Sequence, residues 1–219
     1  MLVNADFSQP VTITPSQHKW IASPQRGVER IMLDRIGTEV ARATSIVRYA
    51  PASSFPRHRH EAGEEILVLS GVFSDESGHY PAGWYIRNPP GSSHRPYTDE
   101  GATIFVKLRQ MASAEKGRVC IDTNNSALWR HDTNGHAFCP LFIGNVEEVC
   151  LRRLTGVQTL SLAGTGGAEI LVVSGKLAID GQVYPAASWL RYPAGSMPVV
   201  QAFGKEATFY IKTGHLGVS

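Results

Sequence analysis

Short apolar runs separated by turn residues make up most of the chain from Val28 onward. Many short strands with frequent Gly and Pro between them are typical of a β-sandwich or barrel, and no segment shows a sustained helical period. We therefore expect an all-β fold. In the first half of the chain the pattern predicts strands at Trp20-Ile21, Glu29–Leu33, Thr44–Tyr49, Glu65–Leu69, Trp84–Arg87 and Thr103–Leu108.

The same pattern occurs twice. When the sequence is shifted by 104 residues, positions 64–94 align without a gap to positions 168–198, and 13 of these 31 positions are identical. A repeat of this length predicts two tandem copies of one β-barrel. The apolar pattern weakens near Met111–Asn125, so we place the domains at 1–25 (an N-terminal arm), 26–115 (the first barrel) and 116–219 (the second barrel).

Three histidines and one glutamate in the first copy have the spacing of a metal site. Side chains two residues apart on a strand point the same way, so His58 and His60 face together, and Glu64 has the same parity. The turn after Pro89 is expected to bring His94 back toward them. Imidazole nitrogens and a carboxylate on one face suit a divalent cation. Glu65 is the alternative carboxylate ligand if the strand register slips by one.

The second copy has lost these four residues together, while the Gly, Pro and apolar positions remain. This contrast supports the ligand assignment and predicts that the second barrel binds no metal in this way. The residues at the four equivalent positions are Leu162, Gly164, Ala168 and Pro198.

These residues resemble the two motifs of the cupin superfamily, a His, His, Glu and Gly set followed by a Gly, Pro, Gly and His set. The first is met by His58, His60, Glu64 and Gly71, and the second by Gly83, Pro89, Gly91 and His94. The resemblance implies two tandem cupin barrels of the double-stranded β-helix, or jelly-roll, type. The family often has Asn four residues after the last His, and this chain has Thr98 there.

The segments 71–76, 80–83 and 87–94 look closer still to the cupin domain of ChrR, a bacterial anti-sigma factor. That resemblance implies a zinc site and a regulatory or sensing role in the oxidative stress response, whereas the resemblance to cupin enzymes in general allows Fe, Mn or Ni at such a site. The implied partner is an extracytoplasmic-function (ECF) sigma factor. The sequence departs from that family in one respect, because the N-terminal zinc domain would need a His followed by Cys-x-x-Cys, and neither is found here.

The cupin resemblance also permits a second function, that of a metal-dependent dioxygenase acting on a diketone, a flavonol or a similar small substrate held in the first barrel. A storage-like or purely structural double barrel is a third possibility. The family analogy further implies a homodimer.

Charge, hydrophobicity and cysteine content limit the classes of partner and the cellular location that the sequence predicts. The formal net charge of +2 predicts neither nucleic acid nor an anionic membrane as a partner. No apolar run is long enough to span a bilayer, and no signal peptide is recognised at the N-terminus. Cys120, Cys139 and Cys150 are widely spaced and odd in number, which suits reduced thiols in a cytoplasmic protein.

Overall fold

The computed structural model describes residues 1–38, 40–162 and 166–216. Its regular structure is almost entirely β-strand, and the described residues contain two short 3₁₀ helices and no α-helix. The predicted all-β fold is therefore confirmed. None of the described helices has the length and apolar character needed to cross a membrane.

The strands are numbered in chain order. They are β1 (Leu2–Val3), β2 (Val11–Ile13), β3 (Ile21–Ala22), β4 (Val28–Gly37), β5 (Ala41–Tyr49), β6 (Ser53–Ser54), β7 (His58–His60), β8 (Glu64–Asp75), β9 (Gly78–Pro81), β10 (Trp84–Asn88), β11 (Ser92–His94), β12 (Tyr97–Thr98), β13 (Ala102–Leu108) and β14 (Val119–Asp122). They continue with β15 (Arg130–His131), β16 (Ala137–Ile143), β17 (Glu148–Thr155), β18 (Thr159–Ser161), β19 (Ala168–Ser174), β20 (Lys176–Ile179), β21 (Gln182–Pro185), β22 (Trp189–Tyr192), β23 (Val199–Ala202) and β24 (Glu206–Thr213). The 3₁₀ helices span Pro15–Gln17 and Ser126–Leu128.

The chain forms two compact units. Unit 1 comprises Met1–Ala5 and Lys19–Asn124, and unit 2 comprises Asp6–His18 and Asn125–Ser219. These bounds differ from the predicted domains at 1–25, 26–115 and 116–219, which stay a prediction.

Unit 1 is built on a large antiparallel sheet with the strand order β1-β4-β5-β13-β8-β10-β14. Strand β8 leaves this sheet midway: its first half pairs with β13, and its second half pairs with β9. Gly71 lies at the bend with φ +69°, and a Cβ there would overlap the carbonyl oxygen of Gly101. The bend therefore requires glycine.

Alternate side chains of these strands meet inside unit 1 and form its core. Because neighbouring residues point to opposite faces, the inward positions of β8, β13 and β5 form one continuous apolar lining. The buried members are Val28, Tyr49, Ile66, Val68, Phe73, Tyr80, Ile86, Ala102, Ile104 and Val106.

Unit 2 has a corresponding arrangement, with one sheet in the order β15-β16-β17-β24-β19-β22-β2 and a second in the order β18-β23-β20-β21. Unit 2 has the same bend at Gly175, which separates strand β19 from strand β20 where unit 1 has the single strand β8. Strand β2, from the N-terminal segment, pairs with β22 as β14 pairs with β10 in unit 1. The sheets do not close completely, so both units fit the predicted jelly-roll type as open barrels.

Candidate metal centre

A short antiparallel pair of strands brings the predicted ligands together. His58 on β7 is in register with His94 on β11, and His60 is in register with Ser92. The predicted turn forms, because Ser92 N–H donates to the Pro89 carbonyl at 3.1 Å. Glu64 is the first residue of β8. The strand pairing and the turn thus place four residues from three strands in one cluster.

The distances within this cluster suit a single cation. One donor atom from each of the four residues lies within 4.8 Å of the other three. His60 Nε2 is 3.0 Å from His94 Nε2, and each of these nitrogens is 3.3 Å from Glu64 Oε2. Ligands about 2.1 Å from one ion stand roughly 3.0–3.4 Å apart, so the spacing fits a metal ion at the centre. Metal binding by the four residues stays a prediction.

The outer nitrogens of two imidazoles contact acceptors, which leaves the inner nitrogens as lone-pair donors. His58 Nδ1 lies 2.9 Å from the Pro56 carbonyl oxygen, and His94 Nδ1 lies 3.2 Å from Asp75 Oδ2. Each contact suits a proton on Nδ1 and so orients Nε2 toward the cluster.

Asp75 is buried behind His94 and is surrounded by donors. Its Oδ1 accepts from Ser77 N–H at 2.7 Å and from the Tyr80 hydroxyl at 3.2 Å, and its Oδ2 lies 3.2 Å from Arg118 Nη2. Burial raises the pKa of the Asp75 carboxyl, but the hydrogen bonds from His94 and Ser77 outweigh it and the pKa is lowered. Asp75 is therefore an anion that positions His94.

Glu64 has a supporting contact of its own. Asn88 Nδ2 donates to Glu64 Oε2 at 3.0 Å, and Asn88 Oδ1 accepts from Arg118 Nε at 3.0 Å. Arg118 therefore contacts both of the side chains that hold the cluster, Asp75 and Asn88. Sequence reasoning gave no role to these three residues, although Asp75 and Asn88 become Ile179 and Tyr192 under the 104-residue shift. Their joint replacement by less polar side chains is the signal that could have found them.

The surroundings shift the pKa values of the two central imidazoles in opposite directions. Burial lowers the pKa of the His60 imidazole, and the negative charge of Glu64 offsets this only in part. Burial opposes the charged form of His94 as well, but the hydrogen bond to Asp75 and the charge of Glu64 outweigh it, so the pKa of His94 is raised. Two carboxylates next to buried imidazoles form a site that a divalent cation would neutralise.

Glu65 and Thr98 lie outside the cluster. The Glu65 carboxylate is 2.9 Å from Arg87 Nη1, so Glu65 is part of a buried ion pair. Arg87 also donates to both oxygens of Glu115 at 2.8 Å. Thr98 Oγ1 accepts from the backbone N–H of Gly101 at 2.9 Å and stabilises the turn before β13.

The cluster opens on a cavity of about 610 Å³ inside unit 1. His58, His60 and Glu64 form part of its wall. Most of the remaining wall is apolar, with Val28, Val47, Tyr49, Phe55, Ile104, Val106 and Leu108 among the lining residues. A cavity of this size accommodates a small organic molecule beside the metal ligands.

The equivalent positions in unit 2 carry no ligand atoms. Leu162, Ala168 and Pro198 are buried, and Gly164 lies outside the described residues. Leu162 joins the apolar core of unit 2, together with Ile179 and ten other buried residues. That unit 2 binds no metal stays a prediction.

Fold and site together define a β-barrel protein with a candidate His₃Glu metal centre beside a cavity. The family model of the ChrR cupin-like domain matches residues 8–112 of this chain. No curated protein matches the chain in sequence.

Solved structures with the same fold include proteins of several kinds. A candidate dioxygenase from Nostoc punctiforme is 14% identical, with a TM-score of 0.78, and the match covers 97% of this chain and 85% of that one. A cupin 2 conserved barrel domain protein from Leptotrichia buccalis is 12% identical, with a TM-score of 0.63 and coverage of 98% and 100%. The bacterial pirin YhhW from Escherichia coli, in complex with nickel(II), is 12% identical, with a TM-score of 0.70 and coverage of 94% and 99%. The family match and the shared fold support the cupin superfamily as the class of this chain.

Proposed function

We propose that unit 1 is a metal-dependent cupin enzyme of the dioxygenase type, which holds one divalent ion with His58, His60, Glu64 and His94 and acts on a small organic molecule in the cavity. The observation that carries this proposal is the position of the ligand cluster in the wall of the 610 Å³ cavity. A purely structural metal site is closed by its ligands, whereas this one faces space for a substrate.

The donor set limits the choice of ion. Imidazole and carboxylate ligands suit Fe(II), Mn(II), Ni(II) and Zn(II), and no thiolate is among the four. A redox-active ion at this site would supply oxygen binding and would polarise a substrate carbonyl. Around it, Asp75 and Pro56 keep two imidazoles oriented, Asn88 holds Glu64, and the apolar wall excludes water from the bound substrate.

Metal identification and oxygen uptake test this function together. We expect the full chain, purified with its native metal, to contain about one Fe, Mn or Ni per chain and to consume oxygen with a diketone from a small panel. His60→Ala should abolish the uptake because it removes a ligand. Protein that holds its metal and consumes no oxygen with any member of a broad diketone and flavonol panel would contradict the enzyme proposal.

A second candidate is a regulatory, zinc-holding cupin like that of ChrR, and the family match over residues 8–112 favours it. In this case the metal site stabilises unit 1 or responds to an oxidant, and the partner is an ECF sigma factor. Stoichiometric zinc, together with a sigma factor that co-purifies from the native host, would support this function over the enzymatic one.

The internal repeat extends the proposal to the whole chain. We propose that the two units are copies of one cupin barrel, a bicupin, and that unit 2 has a structural function. The repeated glycine bends at Gly71 and Gly175 support this, as do the repeated register pairs Glu65 with Arg87 and Glu169 with Arg191.

A further inference from the structure

The wall of the cavity in unit 1 includes cationic side chains that are not part of the candidate metal centre. Four arginines line this cavity, namely Arg30, Arg35, Arg59 and Arg109. Arg109 Nη1 is paired with Glu61 at 2.9 Å, and Arg35 donates to the carbonyl of Thr38. Arg59 is exposed to solvent. The guanidinium of Arg30 therefore differs from the other three in its surroundings.

Arg30 is half-buried on β4, in register with Val47 of β5. Its Nε is buried, and none of the described residues provides a hydrogen-bond acceptor for it. Burial of a guanidinium nitrogen without an acceptor is costly, and native proteins rarely keep such a group without a reason. The apolar residues of the cavity wall include Val28, Val47, Ile104 and Val106, and Val47 lies opposite Arg30 on β5.

From this geometry we infer that the cavity binds a small organic monocarboxylate with an apolar body, and that Arg30 receives its carboxylate. A guanidinium binds a carboxylate with two parallel hydrogen bonds, which gives both affinity and orientation. The positive charge of Arg30 matches one carboxylate, and the apolar residues of the cavity wall match the rest of the ligand. The inference rests on the proposed function insofar as this ligand is the substrate.

The experiment measures binding of 3-phenylpropanoate and of its uncharged analogue 3-phenylpropanamide to the full chain by isothermal titration. We expect the acid to bind at least about tenfold more tightly than the amide, since one charge-assisted pair contributes on that order. The titrations are run on metal-loaded protein and again after EDTA treatment, because a metal ion could itself bind the carboxylate.

Three variants assign the effect to one side chain. Arg30→Gln should lose at least tenfold in affinity for the acid and leave the amide unchanged, with and without metal. Arg30→Lys should retain part of the affinity because it keeps the charge but not the two-pronged geometry. Arg26→Gln, four residues away on the exposed surface, is the matched control and should bind like the wild type.

The outcomes separate this inference from the proposed function. Acid that binds no better than amide, acid that shows no saturable binding, or an Arg30→Gln protein that binds like the wild type would each overturn it. If Arg30→Gln does not fold, Arg30→Lys decides, because a loss of affinity for the acid with unchanged binding of the amide is expected only if Arg30 contacts the carboxylate. Arg30-dependent binding by protein that takes up no metal would refute the proposed function and leave this inference standing.

Discussion

Strand β8 of unit 1 and strands β19 and β20 of unit 2 follow equivalent paths but carry different inward side chains. Both paths bend at a glycine with positive φ, Gly71 at +69° and Gly175 at +72°. At each glycine a Cβ would overlap a backbone carbonyl of the neighbouring segment, that of Gly101 or of Glu206. The backbone requirements of the two units are thus the same.

The polar residues of the candidate site differ as a set. His58 and His94 are in register in unit 1, and the equivalent Leu162 and Pro198 are joined by a backbone hydrogen bond of 3.0 Å in unit 2. The supporting residue Asp75 is replaced by Ile179, which is buried in the apolar core. Unit 2 keeps the same backbone path without these polar residues, so the fold does not require the cluster.

The largest expected effect is a loss of stability when either of the two glycine bends, which both units have, is changed. Gly71→Ala and Gly175→Ala should each destabilise the protein by more than about 4 kcal/mol, because a methyl group would enter a backbone carbonyl at a strained φ. Denaturant unfolding measures this. Gly181→Ala is the control, since its φ is +77° and no atom lies within 4 Å, and it should cost only about 1–2 kcal/mol. A similar cost at all three positions would refute the structural role of the bends.

The next largest effect is a loss of stability when a charge is placed in the apolar core of unit 2. Ile179→Asp restores the carboxylate of unit 1 within the buried apolar core of unit 2 and should cost about 3 kcal/mol or more, because a buried charge is poorly solvated. Val183→Asp on the exposed side of β21 should cost less than about 1 kcal/mol. Equal stability of the two variants in thermal or denaturant unfolding would show that unit 2 tolerates a polar interior.

Substitutions at the proposed ligand position His60 and at Pro198 in unit 2 should have different effects on metal content. His60→Ala should lower metal affinity by more than the roughly 10–100-fold expected for a supporting residue, since it removes a donor atom itself. Pro198→Ala, at the position equivalent to His94, should leave the metal content unchanged. Elemental analysis of both purified variants measures this, and equal metal loss from the two would refute the assignment of the site to unit 1.

The smallest effect tests the support of His94. Asp75→Asn keeps the size of the side chain but removes its charge, and metal affinity should fall by about 10–100-fold. Competition with a chelating dye measures the affinity, and Asp99→Asn, which changes an exposed carboxylate, is the control. Unchanged affinity in Asp75→Asn would limit Asp75 to a role in packing.

Much of the fold was visible in the sequence because strand signals are local. Alternation of apolar residues, turn residues and the 104-residue repeat all act within short segments, so the all-β class could be predicted. The four proposed ligands could be chosen because parity on a strand and the turn after Pro89 place them on one face. The replacement of all four in the second copy strengthened that choice.

Only the tertiary structure decided which other residues serve the site. Asp75, Asn88 and Arg118 come from three separate parts of the chain, and their contacts depend on the bend of β8 and on the pairing of β14 with β10. Arg30 likewise lines the cavity of unit 1, opposite Val47 on the neighbouring strand β5. Strand periodicity is a short-range pattern and can be read from the sequence. Contacts between distant segments leave no such pattern, and for this reason only the tertiary structure identified these residues.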